Sequence, residues 1–192
     1  MIAREPIVQL AECLSRVRAG QGTTAEIVQW LRASTDAAAS IPKPATCDPH
    51  RNYTRTLLFK NDVFEVLALH WNPNCVSTIH DHGGALCWLS VARGAMGVEN
   101  YLRTDNGGTP GYAAIALEGR EELSPGAIDY RQDDVHLHRC MARDCETVTL
   151  HVYAHPIERF HGFDECSNRC FEMTSTYDDV ISKQRFEHSS NP

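Results

Sequence analysis

The apolar positions of this chain change their period once. In PIVQLAECLSRVR, residues 6–18, Ile7, Leu10, Leu14 and Val17 recur at helical spacing, and Gly20 ends the run. TTAEIVQWLRA follows, with Thr23 and Glu26 spaced as a capping box ahead of Ile27, Trp30 and Leu31. The spacing predicts two helices in a preface of residues 1–45, each with an apolar face to lay on a core.

From residue 52 the apolar runs shorten to strand length. TRTLLF (54–59) and VFEVLALHW (63–71) flank Lys60, Asn61 and Asp62, a hairpin signature. LCWLSVA (86–92) and AMGVENYL (95–102) flank Arg93 and Gly94, and TDNGGTPG (104–111) reads as an exposed loop. AAIALEG, GAIDYR, VHLHRC and ETVTLHVY continue the series at even spacing. Regular short strands behind helices predict a mainly β chain. The architecture expected is a β-barrel (a double-sheet jelly roll) over residues 52–177 under an N-terminal helical cap. A polar tail, 178–192, ends in QRFEHSSNP, expected to be partly disordered. With no internal repeat or low-complexity stretch, residues 1–192 are expected to form one domain.

Charge narrows the possible partners. A formal net charge of −7 and no cluster of Lys and Arg argue against nucleic acid. No apolar stretch approaches the ~20 residues that span a bilayer, and MIAREPIVQLAECL has no leader-like apolar core and cleavage site. A cytoplasmic monomer with a small-molecule partner is the expectation. The eight cysteines include no CxxC pair, and in a chain of this length most are expected to be free thiols.

Candidate chemistry lies in the histidines. Residues two apart on a strand face the same side, so His80 and His82 form one pair and His136 and His138 another. Two such pairs on different strands can converge on one metal ion inside a barrel. Spacing alone permits either His136 or His138, and imidazole accepts iron, nickel, manganese or zinc.

The run HDHGGALCWLSVARG, residues 80–94, resembles the first motif of the cupins, with cysteine where most of them carry glutamate. Together with NYTRTLL, LHR and TLHVY further along, it resembles type I cysteine dioxygenase, from about Asn52 to Tyr153. The resemblance implies a cupin barrel in which His80, His82 and His138 hold one Fe(II); the LHR match is what selects His138. It implies that L-cysteine and O₂ react to give 3-sulfinoalanine. Arg55 takes the position that grips the substrate carboxylate, a task suited to a planar fork of donors, and Tyr53 supports it. An arginine there points to cysteine over 3-mercaptopropionate, whose enzymes carry glutamine.

By the same resemblance Thr149, His151 and Tyr153 form a relay along one strand, with threonine where serine is usual. Cys87 corresponds to the cysteine that forms a thioether with the tyrosine at position 153. A Cys87–Tyr153 cross-link, a protein-derived cofactor, is therefore implied. AHPIERF lacks the Ser-Pro-Pro step of mammalian members, which puts a cis-proline there in doubt. His155 and His136 receive no role. The alternatives are a dioxygenase of another small thiol, 3-mercaptopropionate or cysteamine, and a non-enzymatic cupin that binds a metal or small ligand.

Overall fold

The computed structural model describes residues 4–43, 51–132 and 135–180. Two helices, α1 (Arg4–Arg18) and α2 (Thr24–Ala39), precede twelve strands. These are β1 (Tyr53–Lys60), β2 (Phe64–Trp71), β3 (Ile79–His80), β4 (Leu86–Arg93), β5 (Met96–Arg103) and β6 (Ile115–Leu123). Then come β7 (Ile128–Arg131), β8 (His136–Ala142), β9 (Thr147–Ala154), β10 (Arg159–Asp164), β11 (Arg169–Thr174) and β12 (Asp179–Val180). They form two six-stranded sheets, in the orders β12-β1-β2-β9-β4-β7 and β11-β10-β3-β8-β5-β6. The mainly β architecture with two N-terminal helices is the one the periodicity predicts.

The first sheet is covered on both faces, which explains why β2 and β9 are buried at every position. On one face Phe64, Val66, Ala68, Val148, Leu150 and Val152 pack against Leu10, Leu14, Ile27, Trp30 and Leu31 of the helices. At roughly 1.5–3 kcal/mol per fully buried large side chain, this layer anchors the helices to the barrel. The other face turns Leu67, Leu69, Trp71, Cys87 and Tyr153 inward against Met96, Val98 and Cys140 of the second sheet. Alternation along β9 thereby sends Thr147, Thr149, His151 and Tyr153 into the barrel. The Ile7 side chain is outside those described.

One expectation needs correction, and several features lie beyond what the periodicity predicts. Thr23 makes no side-chain cap bond; Glu26 pairs instead with Arg16 of α1 at 2.5 Å, so the acid ties the helices together. Arg93 and Gly94 join strands of different sheets. Gly94 has φ +83°, and a Cβ there would meet the Thr147 hydroxyl at 2.5 Å, so the crossing requires glycine. Nothing in the periodicity predicted β3 or the β10–β11 hairpin, whose sequences RFHGFD and RCFEMT are too polar to read as strands. The start of the polar tail is structured, because Asp179 and Val180 pair in parallel with Thr56 and Leu57 of β1. QRFEHSSNP and Cys47 lie outside the described residues. Cys13, Cys75, Cys87, Cys140, Cys145, Cys166 and Cys170 are free thiols. Among the described residues no helix is long and apolar enough to cross a membrane.

Candidate metal centre

Three histidines meet inside the barrel. One nitrogen from each of His80, His82 and His138 lies within 4.8 Å of the others. His80 closes β3 and pairs in register with His138 of β8. His82 is not on a strand, contrary to the period-two reading; it stands in the extended chain just before a turn at Gly83 and Gly84, both at positive φ. His136 sits at the exposed start of β8, away from the other three. The structure thus separates the two candidates that spacing left open.

Hydrogen bonds orient two of the rings. His80 Nδ1 donates to the Thr78 carbonyl at 2.8 Å, and His138 Nδ1 lies 2.9 Å from Asp129 Oδ2. With Nδ1 engaged, each ring keeps Nε2 as the ligating nitrogen. His82 has a buried Nδ1 without a partner among the described residues. Burial pushes His80 down to about 3 and His82 well below the usual range; the neighbouring His138 adds to both. Those two rings are therefore neutral, the form a metal needs. For His138 burial is outweighed by Cys140 and the Asp129 carboxylate, which raise it to about 9. Burial also opposes the charge on Asp129, but His138 and Arg131 prevail and hold its carboxyl below the usual range. Three imidazoles at this spacing, two of them oriented through Nδ1, fit a divalent transition metal; once His138 gives up its extra proton on binding, three neutral ligands leave the metal's charge uncompensated.

The same cavity, about 540 Å³ with its solvent-open part, is lined by Tyr53, Arg55, His151 and Tyr153 as well. Arg55 extends from β1, its Nη2 donating to Ser175 at 2.9 Å while Nε is shut off from solvent and has no partner among the described residues. Its backbone is clamped by Asp178 through two bonds of 2.8 Å. Tyr53 packs against Trp71 with ring centroids 4.3 Å apart and the planes tilted by 38°. On β9, Thr149 Oγ1 lies 2.8 Å from His151 Nε2, and Tyr153 Oη lies 3.0 Å from His151 Nδ1. Burial, reinforced by Arg55, keeps His151 neutral. Burial first, then Cys87, raises Tyr153, so the phenol is protonated.

Cys87 of β4 is the direct cross-strand partner of Tyr153 of β9. Both are buried, and burial raises the Cys87 thiol as well. His155 is exposed and bonds Pro156, so the inward alternation ends with the strand. The peptide between Ala154 and His155 is cis, at a position with no proline. Sequence reasoning missed Trp71, Asp129, Ser175 and Asp178. Alternation along β2 places Trp71 on the inner face with Leu69, a signal that was available. Ser175 and Asp178 reach Arg55 from more than a hundred residues away, and Asp129 meets His138 only because β7 and β8 face each other inside the barrel.

A barrel of two six-stranded sheets around three histidines defines a cupin-type metal-binding protein. The family profile described as Cysteine dioxygenase type I matches residues 2–166, and the chain belongs to that family. Cysteine dioxygenase type 1 of Homo sapiens is 26% identical over 178 residues, covering 89% of this chain and 85% of that protein. The Bos taurus protein of the same name is 27% identical over 175 residues, with the same coverage. Among solved structures, KdgF from Halomonas sp. is similar at TM-score 0.44 and 16% identity, over 57% of this chain and 84% of that one.

Proposed function

We propose that this protein is an iron-dependent thiol dioxygenase that converts L-cysteine and O₂ to 3-sulfinoalanine. The observation that carries the reading is Arg55. Its guanidinium lines the same cavity as the three histidines, and no carboxylate pairs with it among the described residues. An enclosed cation with unspent donors calls for an anionic partner. A substrate with a carboxylate at one end and a thiol at the other spans the two halves of the site.

His80, His82 and His138 would hold Fe(II), which supplies an electron source for O₂ and a positive charge that favours thiolate. The protein's part is binding and orientation. Arg55 pairs with the carboxylate, and Tyr53, braced on Trp71, supports one side of that subsite. Ile157, Phe160 and Met173 add an apolar wall that limits water. His151 and Tyr153 are neutral, so Tyr153 presents a hydroxyl, not a second anion, to the thiolate.

The register of Cys87 opposite Tyr153 supports the thioether reading. That bond would replace the Cys87 S–H and a ring C–H of Tyr153 with S–C, passing two electrons and two protons to dioxygen. The link would fix the phenol beside the metal centre.

Oxygen uptake by Fe(II)-loaded protein, with L-cysteine, 3-mercaptopropionate and cysteamine run in parallel, tests the reading. Preferential uptake with cysteine is expected. Preference for 3-mercaptopropionate would overturn the substrate, and no uptake with any thiol would favour a binding protein.

A further inference from the structure

Thr149 Oγ1 has a second neighbour that the relay of Thr149, His151 and Tyr153 leaves out. Trp71 Nε1 donates to it at 2.9 Å. An indole nitrogen donates only, whereas a hydroxyl has one proton to give and two lone pairs. Thr149 is fully buried, so no water takes that proton. Among the described residues, Oγ1 bonds only Trp71 and His151. Trp71 cannot accept, so the Thr149 proton must go to His151 Nε2 or be left unsatisfied, which is costly in a buried group.

We infer that Trp71, Thr149, His151 and Tyr153 form a one-directional chain of donors, with Trp71 as the positioning residue at its head. Trp71 donates to Thr149, and Thr149 donates to the bare Nε2 of His151. A neutral imidazole with Nε2 bare carries its proton on Nδ1. That proton points at the Tyr153 oxygen 3.0 Å away. Tyr153 already accepts one bond, so its own O–H is free to turn into the cavity it lines.

The direction matters for the site's chemistry. In the opposite arrangement Tyr153 would donate to His151 and offer the cavity only a lone pair, which repels a thiolate or a reduced oxygen species. In the chain inferred here it offers a proton donor. Each bond in such a series polarises the next, so accepting from Trp71 makes Thr149 a better donor to His151. Trp71 is held for this duty by its ring contact with Tyr53, which joins the relay to the side of the pocket that carries Arg55.

The inference rests on the proposed role of Tyr153, so its test is read without turnover. Full-length protein loaded with Zn(II), labelled with ¹⁵N in histidine, is examined by long-range ¹H–¹⁵N correlation, which separates protonated from bare ring nitrogens. His151, assigned by its absence in His151→Gln, is expected to show Nδ1–H and a bare Nε2. Trp71→Phe keeps an aromatic ring against Tyr53 but removes the donor, and intermediate shifts from mixed tautomers are expected. A protonated Nε2 in the unsubstituted protein would overturn the chain. An unchanged Nδ1–H form in folded Trp71→Phe would remove Trp71 from it. Inactivity of the iron form beside the expected spectrum would count against the proposed function and leave the chain standing.

Discussion

The Nδ1 of His138 lies 2.9 Å from Oδ2 of Asp129, and Arg131 grips the same carboxylate through Nε at 3.0 Å and Nη2 at 2.7 Å. The carboxylate is ionised and can only accept, so the ring proton sits on Nδ1 and Nε2 is left for a metal. Arg131 in turn donates to Asn100 at 2.5 Å. One metal ligand is thus held by a polar series that runs through β7 to β5.

Asp129→Asn is expected to weaken divalent metal binding by about 10–100-fold, the usual effect of losing such an outer partner. A chelator-competition titration with Zn(II) or Fe(II) measures it. An affinity equal to the parent's would show that Asp129 serves only the fold.

Arg55→Lys keeps a charge but loses the fork that pairs both oxygens of a carboxylate. A charge-assisted hydrogen bond is worth about 1.5–3 kcal/mol. The kcat/KM for cysteine is accordingly expected to fall by roughly 10–100-fold, mainly through KM. Steady-state oxygen uptake measures the split. A fall in kcat alone would place Arg55 outside substrate binding.

Protein incubated with Fe(II), cysteine and air is expected to become about 2 Da lighter, the two hydrogens lost on forming a thioether. Peptide mapping should find Cys87 and Tyr153 in one linked species. Cys87→Ser should keep its full mass and lose activity by only a few-fold, since the link positions a phenol already placed by its strand. Recovery of both residues unmodified in active protein would rule the link out.

Stability in acid should depend on Glu99. Burial works against its charge, but hydrogen bonds from Arg120, Arg139 and Tyr101 outweigh it and take its carboxyl from 4.5 to about 2. The contribution of a carboxyl depressed by folding is complete above its ordinary value and disappears as pH falls through the folded one. The protein should therefore lose stability between about pH 4.5 and pH 2. Glu99→Gln should cost about 2–3 kcal/mol near neutrality and flatten that dependence. Denaturant titrations at several pH values measure both, and parallel pH curves for the two proteins would contradict the assignment.

Much of this fold was legible because its core strands are regular. TRTLLF, VFEVLALHW and ETVTLHVY became β1, β2 and β9 within a residue or two, since each buries alternating or continuous apolar side chains. The strands that escaped notice are held by neighbours. β3 has two residues, and β12 exists because β1 offers a free edge to Asp179 and Val180. At the site, His80, His82, His138, Arg55, Thr149, His151 and Tyr153 all line or adjoin one cavity. His82 arrives by a route that period-two logic did not describe. Ser175 acts on Arg55 from 120 residues along the chain, and Asp129 reaches His138 from the preceding strand, nine residues earlier; a single sequence carries no mark of either pairing.

Oxidation of L-cysteine under ¹⁸O₂ by the Fe(II)-loaded protein tests the central claim most directly. The account predicts 3-sulfinoalanine heavier by about 4 Da, with both labelled atoms on sulfur, as dioxygenation requires. Cystine with label in water or hydrogen peroxide would contradict it, because the iron would then be passing electrons to O₂ without oxygenating the thiol.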